Sequence, residues 1–144
     1  MIWNEIINDI DIQHLNEIYN YFEDSMLIRM EYISGDYVDS ELTGHMKQRN
    51  NLKAVFQRLD HDPFSIELLF THTKRLSFVF VNPSDKCLSD IMYAKVCKSD
   101  KSVFWTLWKN FDPYNEEHLS VSDLTLIEAD SMKWRIVSDK SVCD

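Results

Sequence analysis

The chain has 144 residues, 44% of them hydrophobic and 12% aromatic, with two Gly, three Pro and 24 acidic against 15 basic side chains, a formal net charge of −9. That length suffices for one core burying roughly two thirds of the unfolded surface, and the composition excludes a linker-dominated or low-complexity chain. The acidic balance disfavours nucleic acid and anionic membrane as partners, since both are bound through Lys and Arg.

In chain order, the first expected element is a helix over Asp11–Asp24. Ile12, Leu15, Tyr19 and Phe22 recur at intervals of three and four, and Ile18 widens the stripe. Asp11 is placed to cap the first free amides, with Ile10 and Leu15 at the spacing of a hydrophobic staple. Beyond Ser25 the period becomes two. Ile28, Met30 and Tyr32 alternate with Arg29 and Glu31, which predicts a half-buried strand. A turn at Ser34, Gly35 and Asp36 then leads into a return strand begun by Tyr37 and Val38. Ser40–Asn51 reads as a loop.

From Leu52 the strand signals follow closely: Leu52–Leu59, then Phe64 to Phe70 behind Pro63, then Leu76, Phe78 and Phe80, ended by Asn82 and Pro83. Further strands are expected at Asp90–Cys97, Val103–Trp108, Leu124–Ala129 and Met132–Val137. The short gaps exclude parallel crossovers, so consecutive antiparallel hairpins are expected. The acidic connection Asn110–Ser122 is expected to hold a short helical turn around Asn115–His118. The predicted architecture is therefore α+β, a single domain over 1–144. In it an N-terminal helix (about 11–24) packs on a largely antiparallel, meander-like sheet of about seven to nine strands in the region 26–137, followed by a flexible tail, 138–144.

No run approaches the roughly 20 apolar residues that span a bilayer, and Met1–Glu5 lacks the regions of a signal peptide, so a cytoplasmic location is expected. Cys87, Cys97 and Cys143 give an odd count with no C-x-x-C pair, which fits free thiols. The five His are scattered, so no metal site and no cofactor is expected.

The charge falls in two blocks. Met1–Asp24 holds Glu5, Asp9, Asp11, Glu17, Glu23 and Asp24 with no Lys or Arg, and Phe111–Asp130 holds Asp112, Glu116, Glu117, Asp123, Glu128 and Asp130, again unopposed. Such blocks would attract a basic protein, although net charge also serves solubility alone. No glycine-rich phosphate loop, G-x-S-x-G elbow or H-E-x-x-H helix is present, so no residue is assigned a catalytic role. Asp60, His61 and Asp62 before Pro63 are ordinary turn residues.

Charges inside strands are more telling, because a charge facing the core needs a partner. Arg58, Glu67, Glu128 and Arg135 are of this kind. Each fits an exposed cross-strand pair, while a functional reading has Arg58, Arg135 and Glu67 converging on one sheet face. Trp105, Trp108 and Trp134 fit core packing. Alternation places Trp105 and Trp108 on opposite faces, so one of them needs a cover, and an exposed Trp would be a binding hot spot.

The segments Phe22-Glu23-Asp24-Ser25, Tyr37-Val38-Asp39, Val55-Phe56-Gln57-Arg58, Ile66-Glu67-Leu68 with Phe70, and Trp134-Arg135 resemble a family of small bacterial proteins, mainly from Firmicutes, with no assigned activity. The resemblance spans roughly Phe22 to Arg135 and implies a bacterial origin and a shared β-rich fold. Glu23 stands where that family tends to carry His, which weakens any metal or acid–base role for the motif. The candidate binding residues are Asp24, Tyr37, Asp39, Arg58, Glu67, Trp105, Trp108, Trp134 and Arg135. Together these features favour an acidic protein-binding module, of the immunity or inhibitor type, over an enzyme. The alternatives are a small-molecule binder with an aromatic pocket over the sheet, and a subunit that joins others through a strand edge. Oligomeric state is left open.

Overall fold

A computed structural model describes residues 2–79, 88 and 90–137. The expected strand end at Phe80, Asn82 and Pro83, the thiols of Cys87 and Cys143, and the tail 138–144 lie outside the described residues. Antiparallel sheet dominates. The strands are β1 (Asn4–Ile6), β2 (Ser25–Ile33), β3 (Tyr37–Val38), β4 (Gly44–His45), β5 (Asn51–Arg58), β6 (Ser65–Ser77), β7 (Lys95–Lys98), β8 (Val103–Thr106) and β9 (Leu126–Ile136). Two helices, α1 (Asp9–Ile18) and α2 (Glu116–Leu119), and a 3-10 turn at Asn20–Phe22 complete the described elements.

The first helix starts and ends earlier than its apolar stripe implies. Asn8 is the cap: its Oδ1 accepts from the Asp11 amide at 3.0 Å, while Asp11 Oδ2 accepts from the Asn8 amide at 3.1 Å. Asp11 is therefore the third helical residue of a capping box, and Ile10 is exposed and forms no staple. The helix stops because Asn20, Tyr21 and Phe22 all take left-handed φ, +44°, +52° and +60°. That conformation is unfavourable for the two aromatic residues. It is offset by what it buries: Phe22 meets Tyr19, Phe56 and Trp105 edge-on at 5.0–5.9 Å, and Tyr21 stacks on Tyr93.

The strand order of the main sheet is β2-β5-β6-β9-β8-β7, with β1 paired to β9. In place of one continuous meander there are two, β2-β5-β6 and β7-β8-β9, joined where β6 and β9 pair. Both joining strands are long because each fuses two expected ones. Ile66–Phe70 and Leu76, drawn from two expected runs, fall in the single β6, whose register shifts between Thr73 and Arg75. Leu124–Ala129 and Met132–Val137 form β9. The free side of β9 is shared, β8 pairing with Leu126–Ala129 and β1 with Met132–Trp134. Nothing in the three-residue β1 signals a strand locally; it is completed by its partner.

Two further expectations are corrected at β2. Its return strand is β5, not Tyr37–Val38, which pairs instead with Gly44–His45 in a separate two-stranded sheet. Ile28, Met30 and Tyr32 are exposed rather than half-buried, since the cover over this face reaches Leu27 and not the outer half of the strand. The expected strand Asp90–Cys97 shortens to Lys95–Lys98, because Ile91 is engaged in an isolated bridge to Ser25. The turn at Gly35 (φ +82°) and the helical turn capped by Asn115 fall where the sequence puts them.

The main core gathers Ile12, Leu15, Tyr19 and Phe22 with Leu52, Ala54, Phe56, Ile66, Leu68, Phe70, Trp105 and Trp134. Buried Asn16 exchanges two 3.0 Å hydrogen bonds with the main chain of Val96 in β7. A second cluster, Phe104, Phe111, Leu124 and Leu126 flanked by Trp108, Leu119 and Val121, forms under the 107–125 connection.

Candidate functional site

The nine sequence candidates are not brought together. Trp105 and Trp134 are buried in the main core. Trp108, just beyond β8, belongs to the second cluster and packs against the His118 ring at 4.3 Å. The predicted placement of the two tryptophans on opposite sides thus holds, and the cover is the acidic connection itself.

Arg58 is 7% exposed, and its guanidinium is spent on main-chain carbonyls. Nε donates to Pro63 at 2.9 Å, and Nη2 donates to Asp62 at 2.8 Å and Ile18 at 3.2 Å. It also lies 4.5 Å from the Tyr19 ring centre, whose phenol burial pushes up, with the Arg58 charge opposing. Arg58 aligns with the inward residues Ala54 and Phe56 of β5. Glu67 and Arg135 alternate with the inward Leu68 and Trp134, and so face the other way. They form a directly opposed cross-strand pair, Arg135 donating to Glu67 Oε2 at 2.8 and 3.0 Å, with the guanidinium 4.4 Å from the Trp3 ring. The three charges therefore do not converge.

Asp24 is exposed, with left-handed φ; its amide donates to Ile91 and its carbonyl accepts from Leu59. Tyr37 and Asp39 organise the small sheet. Tyr37 stacks on His45 at 4.6 Å. The Asp39 carboxylate accepts from His45 Nε2 at 2.8 Å and from the amides of Glu41 and Thr43 at 2.9 and 3.0 Å. These bonds, His45 first and then the two amides, hold the Asp39 carboxyl below its ordinary pKa. A carboxyl whose folded pKa is depressed supports structure fully above its unfolded value, about 4, and loses that support as pH falls through the folded value. Followed by NMR through acid titration, the Glu41 and Thr43 amides should hold their positions down to about pH 4 and shift together below it. Asp39→Asn should show the shifted positions already at neutral pH.

Two arrangements that the sequence did not assemble stand out. The first surrounds Tyr114, which is 65% exposed. Its hydroxyl donates to Asp100 Oδ1 at 3.3 Å, and its amide donates to Asp112 Oδ1 at 2.9 Å. The phenol is held above its ordinary pKa, first by partial loss of hydration and then by the carboxylates of Asp100, Asp9 and Asp112. Asp112 opens the second acidic block and accepts from the Tyr114 amide, and the Asp9 charge at the start of α1 adds to the upward push on the phenol. Both blocks were legible as charge; the Asn16–Val96 bonds that tie α1 to β7 have no local signature.

The second is a cleft of about 590 Å³ beside the second cluster. Met92, Leu107, Val121 and Leu124 form its apolar wall, with Tyr93 and Trp108; Lys109 and Thr125 are the polar groups. Nearby Cys97 is half-buried, and burial pushes its thiol up to about 11, which leaves it protonated at neutral pH and a weak nucleophile. Among the described residues no group of three or more His, Cys, Asp or Glu is placed to hold a metal, and no helix is long and apolar enough to cross a membrane. No family model, no curated protein and no solved structure matches the chain.

Proposed function

We propose that this chain is an acidic protein-binding module that docks a basic partner on the face around Tyr114, in the manner of an immunity or inhibitor-type protein acting in the cytoplasm. The observation that carries this reading is an exposed tyrosine bonded to two carboxylates, Asp100 through its hydroxyl and Asp112 through its amide, with the Asp9 charge also acting on its phenol. Glu17, Glu116 and Glu117 are exposed on the same two segments. In this reading α1 packs on the sheet through Ile12, Leu15 and the Asn16–Val96 bonds, and so fixes Asp9 against the β7–β8 end of the molecule. Carboxylates of this density steer a cationic surface into encounter. The tyrosine supplies a rigid ring with a polar tip, the kind of residue on which binding energy concentrates.

Affinity capture with the whole chain as bait tests it, run beside a variant carrying Asp9→Asn, Asp112→Asn and Tyr114→Ala. The expected result is a specific basic protein retained by the parent at low salt, released as salt rises, and lost by the variant. Equal retention by both baits, or retention of acidic proteins only, would remove the reading.

A further inference from the structure

We infer that the cleft between Tyr93, Trp108 and Leu124 is a binding site for a single-chain amphiphilic anion, an acyl chain carrying one carboxylate. The inference uses a different set of residues from the Tyr114 face. Its volume, about 590 Å³, lies within the range of sites that enclose a ligand of drug size. The wall is aliphatic, and the two rings in it are already engaged. Tyr93 has Tyr21 stacked on it and Lys109 Nζ 5.5 Å from its ring centre, and Trp108 packs against His118 and Phe111. A flat aromatic ligand would have to displace these partners, whereas a flexible chain fits between aliphatic side chains without doing so.

Charge selects the head group. Among the described lining residues Lys109 is the one charged group, and no described carboxylate lies within 4.0 Å of its ammonium. In a chain of net charge −9, with Asp112, Glu116 and Glu117 on the neighbouring connection, a cleft with a cation and no described carboxylate favours an anion over a cation. Buried Thr125 adds a second polar contact. Its Oγ1 accepts from the Val79 amide at 3.0 Å, which leaves the hydroxyl hydrogen to donate.

The walls are also held in place before any ligand arrives. Thr106 Oγ1 donates to the Thr125 carbonyl and accepts from the Trp108 amide. Lys95 Nζ donates to the carbonyls of Lys109 and Phe111 at 2.9 and 2.8 Å, and the Arg75 guanidinium donates to the carbonyls of Leu119 and Val121. Preorganisation of this kind lowers the cost of binding.

Titration of the isotope-labelled protein with dodecanoate, kept below its micelle concentration, tests the assignment. The expected result is saturable one-site binding, with amide shifts confined to Met92, Tyr93, Leu107–Lys109 and Val121–Thr125. Dodecanol should bind about tenfold more weakly, as one charge-assisted contact implies. Lys109→Gln, a surface change that leaves the core intact, should bring dodecanoate down to the level of dodecanol, and Val121→Trp should abolish both. Absence of saturable shifts, shifts spread over other surfaces, or equal binding of dodecanoate and dodecyltrimethylammonium would overturn it. None of these outcomes bears on the capture of a basic protein.

Discussion

Replacing Trp105 by Ala should destabilise the fold by about 3–5 kcal/mol, the range for deleting a buried large aromatic side chain. Trp105 sits in β8 with its ring 5.9 Å from Phe22 and 5.1 Å from Phe56. It therefore links the left-handed turn after α1 to the β5 side of the sheet. A loss of this size is a large part of the stability of a typical domain. Urea unfolding followed by far-UV circular dichroism measures it as a lower midpoint. Trp105→Phe is the matched control: it keeps most of the ring contact and, among the described residues, breaks no hydrogen bond of Nε1. Its cost should be about 1–2 kcal/mol. Equal losses for the two variants would mean that the ring volume is not what matters.

The second large effect is expected at Arg58. Truncation to Ala removes the donors to the carbonyls of Ile18, Asp62 and Pro63 and the cation over Tyr19. Loss of these three part-buried hydrogen bonds, together with the lost volume, should cost about 2–4 kcal/mol. Arg58→Lys keeps the charge but not the forked donor set, and should recover only part of the loss, since one ammonium cannot reproduce the two in-plane donors, Nε and Nη2, that serve the three carbonyls. If instead Arg58→Ala left the unfolding midpoint in place and only weakened binding of a partner, the guanidinium would be a recognition group after all. The three carbonyls argue for stability: they tie the end of α1 to the β5–β6 turn.

These two residues also show what could be read from the sequence. For Trp105 core packing is one of two readings, since alternation sets Trp105 and Trp108 on opposite faces without saying which is inward; in the structure all four residues of β8 are buried. Arg58 has the inward parity of Ala54 and Phe56, whereas an exposed cross-strand pair is the expectation from sequence; the residue is buried instead. Its partners are main-chain carbonyls, however, and these have no side-chain signature. Glu67 and Arg135 pair as opposed strand residues, which register alone would predict once β6 and β9 are known to be neighbours. That neighbourhood was the hidden fact, since the alternation gives strands without stating that the last joins the fourth-last as well as its predecessor. The same gap hid both proposed sites. Asp9 and Asp112 were visible as members of acidic blocks, and Trp108 as an aromatic needing cover. Tyr114 and Lys109 lie in connections, where no period distinguishes a site from a surface.

The claim on which the functional account rests is that the acidic segments Met1–Asp24 and Phe111–Asp130 form one face at Tyr114. Titration of the Tyr114 phenol by NMR, in the parent and in Asp9→Asn, measures this directly. The account predicts a phenol pKa above that of ordinary tyrosine in the parent and a downward shift when the Asp9 charge is removed. A Tyr114 titration unmoved by Asp9→Asn, with Asp100→Asn shifting it as a local neighbour should, would contradict the account by leaving the two acidic segments apart.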